Sequence, residues 1–137
     1  MKFKSQAGAS VIEFAVVLPL LVVLVFGIIE FGMLLYNQQV ITNASREGAR
    51  AGIVAQNPRL ADINSVVQTY CLNHLVTFGL VNSPPSTFLT GYNPNAPFGQ
   101  DLTVKVTYNY EFLVIPNFIP VFNKLRTMTA QTVMRYE

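Results

Sequence analysis

The sequence predicts an α+β protein in which a long N-terminal transmembrane helix precedes a small domain, with one amphipathic helix on a sheet of two or three antiparallel strands. Three observations lead to this prediction. An uncharged apolar run occupies residues 14–29, a later segment repeats apolar residues at helical spacing, and two segments near the C-terminus alternate apolar and polar residues. Only 12% of the 137 residues are charged, about half the share usual in soluble domains, and 51% are hydrophobic, which excludes a disordered chain.

The first element is the apolar run, which continues to Tyr36 and is apolar on all sides. As a helix it extends for about 35 Å, enough to cross a hydrocarbon core of ~30 Å. Lys2 and Lys4 precede it, and the positive-inside rule places such a basic tail in the cytoplasm. The sequence therefore predicts a single span over about residues 14–36, with the remainder of the chain exported.

A cleaved signal peptide is the competing interpretation of this run. The apolar region of a signal peptide has roughly 7–15 residues and is followed closely by a small-x-small cleavage site. Here the run is longer, and the nearest such site, at residues 49–51, lies well beyond Tyr36 within a helical pattern. These features favour a retained helix.

The helix is expected to continue beyond the membrane, because residues 37–56 contain no proline and their small or apolar residues recur at helical steps. The recurring residues are Val40, Ala44, Gly48, Ala51, Gly52 and Ala55. Gly48 and Gly52 have the small-xxx-small spacing that lets two helix backbones approach closely, although each glycine also weakens a helix by about 1 kcal/mol. We interpret Ala44, Gly48 and Gly52 as a face for helix packing and assembly.

Asn57 and Pro58 end this helix and start the next, because a residue before proline leaves helical geometry while Asn and Pro suit a helix N-terminus. One apolar face follows as far as Gly79, a C-cap candidate. Its residues are Leu60, Ile63, Val67, Tyr70, Cys71, His74, Leu75 and Phe78. A lone cysteine excludes an intrachain disulfide, and Cys71 and His74 lack the further ligands that a metal site needs, so core packing is their expected role.

Residues 82–100 read as a loop rich in proline, glycine and asparagine, in which residues 86–90 can form a short edge strand. Two longer strands are predicted where apolar residues alternate, from Leu102 to Phe112 and, less cleanly, from Met128 to Tyr136. Pro116 and Pro120 mark the connection between them. About 80 residues are marginal for independent folding, so neighbouring elements are expected to support this domain.

The residues with a chemical role lie at the start of the apolar helix, between Gly8 and Phe14. Glu13 is unusual there, because an acidic side chain within a bilayer costs several kcal/mol unless it is paired. If the chain were cut between Gly8 and Ala9, the new amine would be largely protonated at neutral pH and would share a helix face with Glu13. The segment predicts a processing site in which Glu13 pairs with the new N-terminus, within the chain or between staggered chains. The alternative is a carboxylate that only borders the lipid.

Gly8, Glu13 and Phe14 resemble the prepilin-peptidase site of Flp-type (Tad) pilins, where a glycine precedes the cut and Glu-Tyr lies at the fifth and sixth positions after it. Phe14 keeps the aromatic ring of that tyrosine and lacks its hydroxyl. The longer segment of residues 8–54 resembles the TadE-like family through Glu13-Phe14, Leu18-Pro-Leu20, Phe26-Gly-Ile-Ile-Glu-Phe-Gly32 and Asn43-Ala-Ser-Arg-Glu-Gly-Ala-Arg50. Residues 130–137 are similar in style, whereas residues 55–100 hardly match.

The resemblance implies a minor pilin or pseudopilin that is matured by a prepilin peptidase and acts in assembly of a Tad (Flp-type) pilus or a related secretion apparatus. We divide the chain into a cytoplasmic leader of residues 1–8, a long helix of residues 9–56 and an extracytoplasmic domain of residues 57–137. The implied partners are the peptidase, other pilin or pseudopilin subunits, the inner-membrane assembly platform and the lipid bilayer. The alternative is an unprocessed single-pass anchor whose periplasmic domain binds envelope proteins.

Two further residues of the apolar helix are assigned to packing. Pro19 removes the backbone hydrogen bond to the carbonyl of Ala15, which predicts a kink that can act as a hinge in a filament. Glu30 lies about 24 Å beyond Phe14, near the outer membrane interface. There it either extends to water or meets an interhelical partner.

Enzymatic activity is not expected. The sequence contains no P-loop, Gly-x-Ser-x-Gly or zinc-protease motif, and its net charge of +2 is small for a nucleic-acid-binding protein. We therefore predict no cofactor, no metal, no small-molecule substrate and no nucleic-acid partner.

Overall fold

The computed structural model describes residues 4–54, 60–77, 84–93, 95, 97–112 and 125–136. In chain order the elements are α1 (Lys4–Val54), α2 (Leu60–His74), β1 (Ser86–Thr90), β2 (Asp101–Glu111) and β3 (Leu125–Arg135). The predicted α+β fold is confirmed, with a long first helix, a short second helix and a three-stranded antiparallel sheet. The predicted helix ends at Asn57, Pro58 and Gly79, and the prolines at 116 and 120, lie outside the described residues.

α1 is one continuous helix that includes Pro19. Its side chains from Val11 to Phe26 are all exposed, and from Glu30 onwards one face becomes buried against the rest of the chain. Among the described residues, α1 is the one helix with the length and apolar composition to span a membrane. This helix is consistent with a single-pass membrane protein.

β2 is the central strand of the sheet, whose order is β1-β2-β3. It pairs with β1 from Thr103–Thr90 to Thr107–Ser86 and with β3 along its whole length, from Asp101–Arg135 to Glu111–Leu125. The even-numbered side chains of β2, from Leu102 to Tyr110, are buried, and the odd-numbered ones are exposed or half-buried. The predicted alternation therefore turns one face of the sheet towards the two helices.

The core lies between α1, α2 and the buried face of the sheet. Its most deeply buried apolar residues are Ile41, Ala44 and Ala49 of α1, Ile63, Val67 and Cys71 of α2, and Leu102, Val104 and Val106 of β2. This arrangement gives the small domain its support, because the second half of α1 provides one wall of the core.

The apolar face predicted for α2 is buried only in the middle of the helix. Leu60 and His74 are exposed, which makes the expected core position of His74 wrong, whereas Cys71 is buried as expected. The reason is geometric: α1 lies against Ile63 and Val67, and Leu60 and His74 stand at the two ends of α2. Burial raises the pKa of the Cys71 thiol to about 11, so this cysteine stays protonated at neutral pH.

Candidate functional site

The predicted processing segment lies on the exposed first part of α1. Gly8, Ala9 and Glu13 are exposed, and the Phe14 ring is 62% exposed. Among the described residues, no atom outside the local helix backbone comes within 4 Å of a Cβ placed on Gly8. Because α1 is continuous here, Ala9 and Glu13 share one helix face. The segment is therefore accessible to a second protein, either an enzyme or a neighbouring helix.

Glu30 marks the point at which α1 meets the folded domain. Its side chain is only 1% exposed. From the sequence we expected it to reach water or a partner on another helix, and neither describes this environment. The chain's own domain covers it, and it lies close enough to β2 to affect the Tyr110 phenol. Burial first, and then the nearby Glu30 carboxylate, raise the pKa of Tyr110. The freely exposed apolar part of α1 thus ends just before this carboxylate.

Asn37 fastens α1 to the segment that follows α2. Its side-chain nitrogen donates to the carbonyl oxygen of Val76 at 2.9 Å, and its side-chain oxygen accepts from the backbone amide of Val76 at 3.0 Å. Asn37 is fully buried and Val76 is exposed, so these bonds are partly shielded from water. Both polar groups of the Val76 backbone are satisfied by one side chain, which fixes the end of α2 against α1.

Two polar residues connect α1 to β3. The Gln38 side-chain nitrogen donates to the carbonyl oxygen of Thr129 at 3.2 Å. The hydroxyl groups of Ser45 and Thr132 are hydrogen bonded at 2.7 Å, and the Ser45 hydroxyl also lies 2.7 Å from the Thr42 carbonyl oxygen. Ser45 is fully buried, and these two contacts satisfy its hydroxyl group.

Gly48 and Gly52 lie where α1 comes closest to α2 and the sheet. A Cβ on Gly48 would be 2.5 Å from Val67 Cγ2, and a Cβ on Gly52 would overlap the Leu102 side chain. Ala44 is buried on the same face. The close approach indicated by the small-xxx-small spacing is therefore made within the chain, and the role of these residues in contacts between subunits stays a prediction.

The roles of Asn37 and Ser45 were not predicted, although their spacing in the sequence carries a signal. Glu30, Asn37 and Ser45 are seven and eight residues apart, or about two helical turns, and so fall on one face of α1. Polar residues at that spacing on the face that also carries Ala44 and Gly48 indicate a helix packed against polar groups of its own domain.

Comparison with known proteins gives one result. A family model described as TadE-like protein matches residues 8–50. This confirms the resemblance to the TadE-like family in that segment and indicates a protein related to the Tad pilus. None of the curated proteins and none of the solved structures matches the chain. The match includes the processing segment, the exposed apolar part of α1 and most of the part that packs on the domain.

Proposed function

We propose that this chain is a minor pilin or pseudopilin that a prepilin peptidase matures after Gly8 and that acts in assembly of a Tad (Flp-type) pilus or a related secretion apparatus. The observation that carries the proposal is the environment of the matched segment. Residues 8–14 form the exposed start of a helix whose apolar part is left uncovered by the described part of the domain. Such a helix needs lipid or other apolar helices around it.

In this proposal the chain crosses the inner membrane once, with its N-terminus in the cytoplasm and its domain outside. The exposed apolar residues from Val11 to Ile29 have a helical length of about 29 Å, close to the ~30 Å of a hydrocarbon core. Burial of Glu30 against the domain supports a boundary at this residue, because a carboxylate exposed to lipid is unfavourable. The span then begins and ends a few residues earlier than residues 14–36.

Glu13 acts in assembly rather than in catalysis. Cleavage after Gly8 leaves an amine on Ala9, which carries a positive charge at neutral pH. That charge pairs with the carboxylate of Glu13 in the same chain or in a staggered neighbour, and the pairing offsets the cost of an acid at the edge of the membrane. The prepilin peptidase, other pilin subunits and the assembly platform are the partners, and the chain itself is not an enzyme.

Mass spectrometry of the full-length protein, isolated from membranes in which the prepilin peptidase is active, tests this function. We expect Ala9 as the first residue. Gly8→Val is expected to leave the precursor uncut and to prevent pilus formation. Gly27→Val is the matched control, because Gly27 is also a helical glycine with open space around it, and this variant should be processed normally.

An intact leader on the unmodified chain, with the peptidase active, would contradict the proposal. The alternative, an unprocessed anchor with a protein-binding domain, predicts that Gly8→Val supports normal function.

A further inference from the structure

We infer that a groove between α1 and α2 binds an arginine side chain from a second copy of this chain, which presents Arg46 and Arg50 on its own α1. The inference rests on the proposed assembly function and names a contact between subunits. It joins two features that the processing mechanism does not use: an open groove containing a carboxylate, and a pair of exposed cations.

The groove has a volume of about 370 Å³, and its surface is mostly apolar. α1 contributes Glu47, the acidic residue of the lining. α2 contributes Ser65, Val66, Thr69, Tyr70, Asn73 and His74. An apolar recess with a single carboxylate at its edge favours a ligand that has an aliphatic stem and a cationic end, which describes an arginine side chain.

Two aromatic rings of α2 line the groove. The rings of Tyr70 and His74 stack with their centroids 4.3 Å apart and an angle of 18° between their planes. The Nδ1 atom of His74 lies 2.9 Å from the carbonyl oxygen of Tyr70, and this contact holds the imidazole ring in position. A guanidinium group binds here by stacking on the outer face of one ring and by charge-assisted hydrogen bonds to Glu47.

The cations lie on the same helix as Glu47 and outside the groove. Arg46 and Arg50 are exposed and four residues apart, so they share a face of α1. Arg46 donates a weak hydrogen bond of 3.5 Å to Asn43, and neither arginine has a carboxylate partner in the part of the chain that the structure describes. Neither lines the groove of its own chain.

A second copy is the occupant that charge complementarity favours. Each chain carries both halves of the contact, the arginine pair and the acidic groove, as two different patches. A contact between two different patches leaves one patch free on each partner, so it continues from subunit to subunit instead of closing into a dimer. Growth of an assembly by repeated addition of subunits requires a contact of this kind.

Disulfide cross-linking in native membranes tests the inference. Full-length chains carrying Val54→Cys, which lies one helical turn beyond Arg50 on the exposed surface of α1 and leaves both arginines in place, are produced together with chains carrying Thr69→Cys, a residue of the groove, and the membranes are oxidised. Cys71 is buried and stays in place, so the unmodified chain gives the background. We expect a covalent dimer from the mixed pair and background only when Gln131→Cys, on the exposed face of β3, replaces Thr69→Cys.

The carboxylate is tested in the same experiment. Glu47→Lys in the Thr69→Cys chain should reduce the dimer to background, whereas Glu47→Asp should keep it. No cross-link, a cross-link that is insensitive to Glu47→Lys, or a product with a different protein would each overturn the inference. Cleavage after Gly8 is read separately by mass, so failure of this contact and failure of the proposed function are distinguishable.

Discussion

The two halves of α1 form one helix, yet their surroundings are opposite. From Val11 to Phe26 every side chain is exposed, whereas beyond Asn37 the helix buries one face in the core of the domain. Apart from Glu13, the first half is apolar all round and has no preferred side. The second half has small residues such as Ala44 and Gly48 on one side and charged residues on the other, so only one side can pack closely. The apolar composition of the first half leaves it exposed on all sides. The periodic spacing of small residues in the second half lets one of its faces pack on the domain.

Among the substitutions that test this difference, Gly48→Leu is expected to lower the stability of the protein most. A Cβ on Gly48 would lie 2.5 Å from Val67 Cγ2. Val67 cannot easily move aside, because it is a β-branched residue inside α2 and its side chain has one strongly preferred rotamer there. We expect the free energy of unfolding to fall by about 3 kcal/mol. Denaturation of the purified protein in detergent, followed by tyrosine fluorescence, measures it, since the chain has six tyrosines and no tryptophan.

Gly27→Leu is the matched substitution in the free half of α1. In the described part of the chain no atom outside the local helix backbone lies within 4 Å of a Cβ at Gly27, and leucine forms helices better than glycine. The domain should therefore unfold as in the unmodified protein. An equal loss of stability in both variants would show that the two halves do not differ.

Asn37→Ala tests how the packed half is fastened to α2. The variant leaves the backbone amide and carbonyl of Val76 without their partner, which should cost about 2–3 kcal/mol. Amide hydrogen exchange should accelerate at residues 71–77. Asn43→Ala is the control, because among the described residues the Asn43 side chain accepts one exposed bond of 3.5 Å, and it should leave exchange unchanged.

The pH dependence of stability tests the burial of α2 in the core. Burial raises the pKa of the Cys71 thiol from 9.0 to about 11. The folded chain thus keeps a proton that the unfolded chain loses. This contribution is fully present below pH 9 and decreases as the pH rises through 11, by about 2 kcal/mol over that interval. Cys71→Ala should lack this part of the decrease in denaturation curves recorded between pH 8 and pH 11. An equal decrease in both proteins would mean that the thiol is not buried.

The smallest effect is expected from Asp101→Asn, which removes an ion pair on the exposed surface of the sheet. Arg135 Nε donates to Asp101 Oδ1 at 2.9 Å, but both side chains are at least half exposed. Exposed ion pairs contribute little and are screened by salt. Thermal denaturation should show a slight loss at low ionic strength that disappears in high salt. A loss larger than that of Asn37→Ala would contradict the view that stability depends on the helix contacts.

Local pattern was sufficient to predict much of the fold. The uncovered run, the two longer strands and the close approach at Gly48 all follow from the spacing of neighbouring residues. The burial of Glu30 does not follow, because it depends on contact with a domain that includes Tyr110, 80 positions further along the chain. His74 illustrates the same limit, since helical spacing places it on the apolar face but cannot say which side of α2 the rest of the domain covers.

The candidate site also has one part that the sequence predicted and one part that only the structure shows. Gly8, Glu13 and Phe14 were found from residue types and spacing, and the structure adds that they are exposed. The groove was not predicted, because Glu47 and Tyr70 meet only after α2 has folded back onto α1. Arg50 can be identified as a cation from the sequence, but the groove that is proposed to bind it cannot.

The most direct test of the account maps where α1 leaves the membrane. Single cysteines at Leu21, Ile28, Gln39 and Arg46 are treated in intact cells whose outer membrane is permeabilised, with a maleimide that cannot cross the inner membrane. All four positions are exposed on the protein itself, so only surrounding lipid can protect them. The account predicts labelling at Gln39 and Arg46 and none at Leu21 and Ile28. Labelling at Leu21, or protection at Arg46, would contradict it.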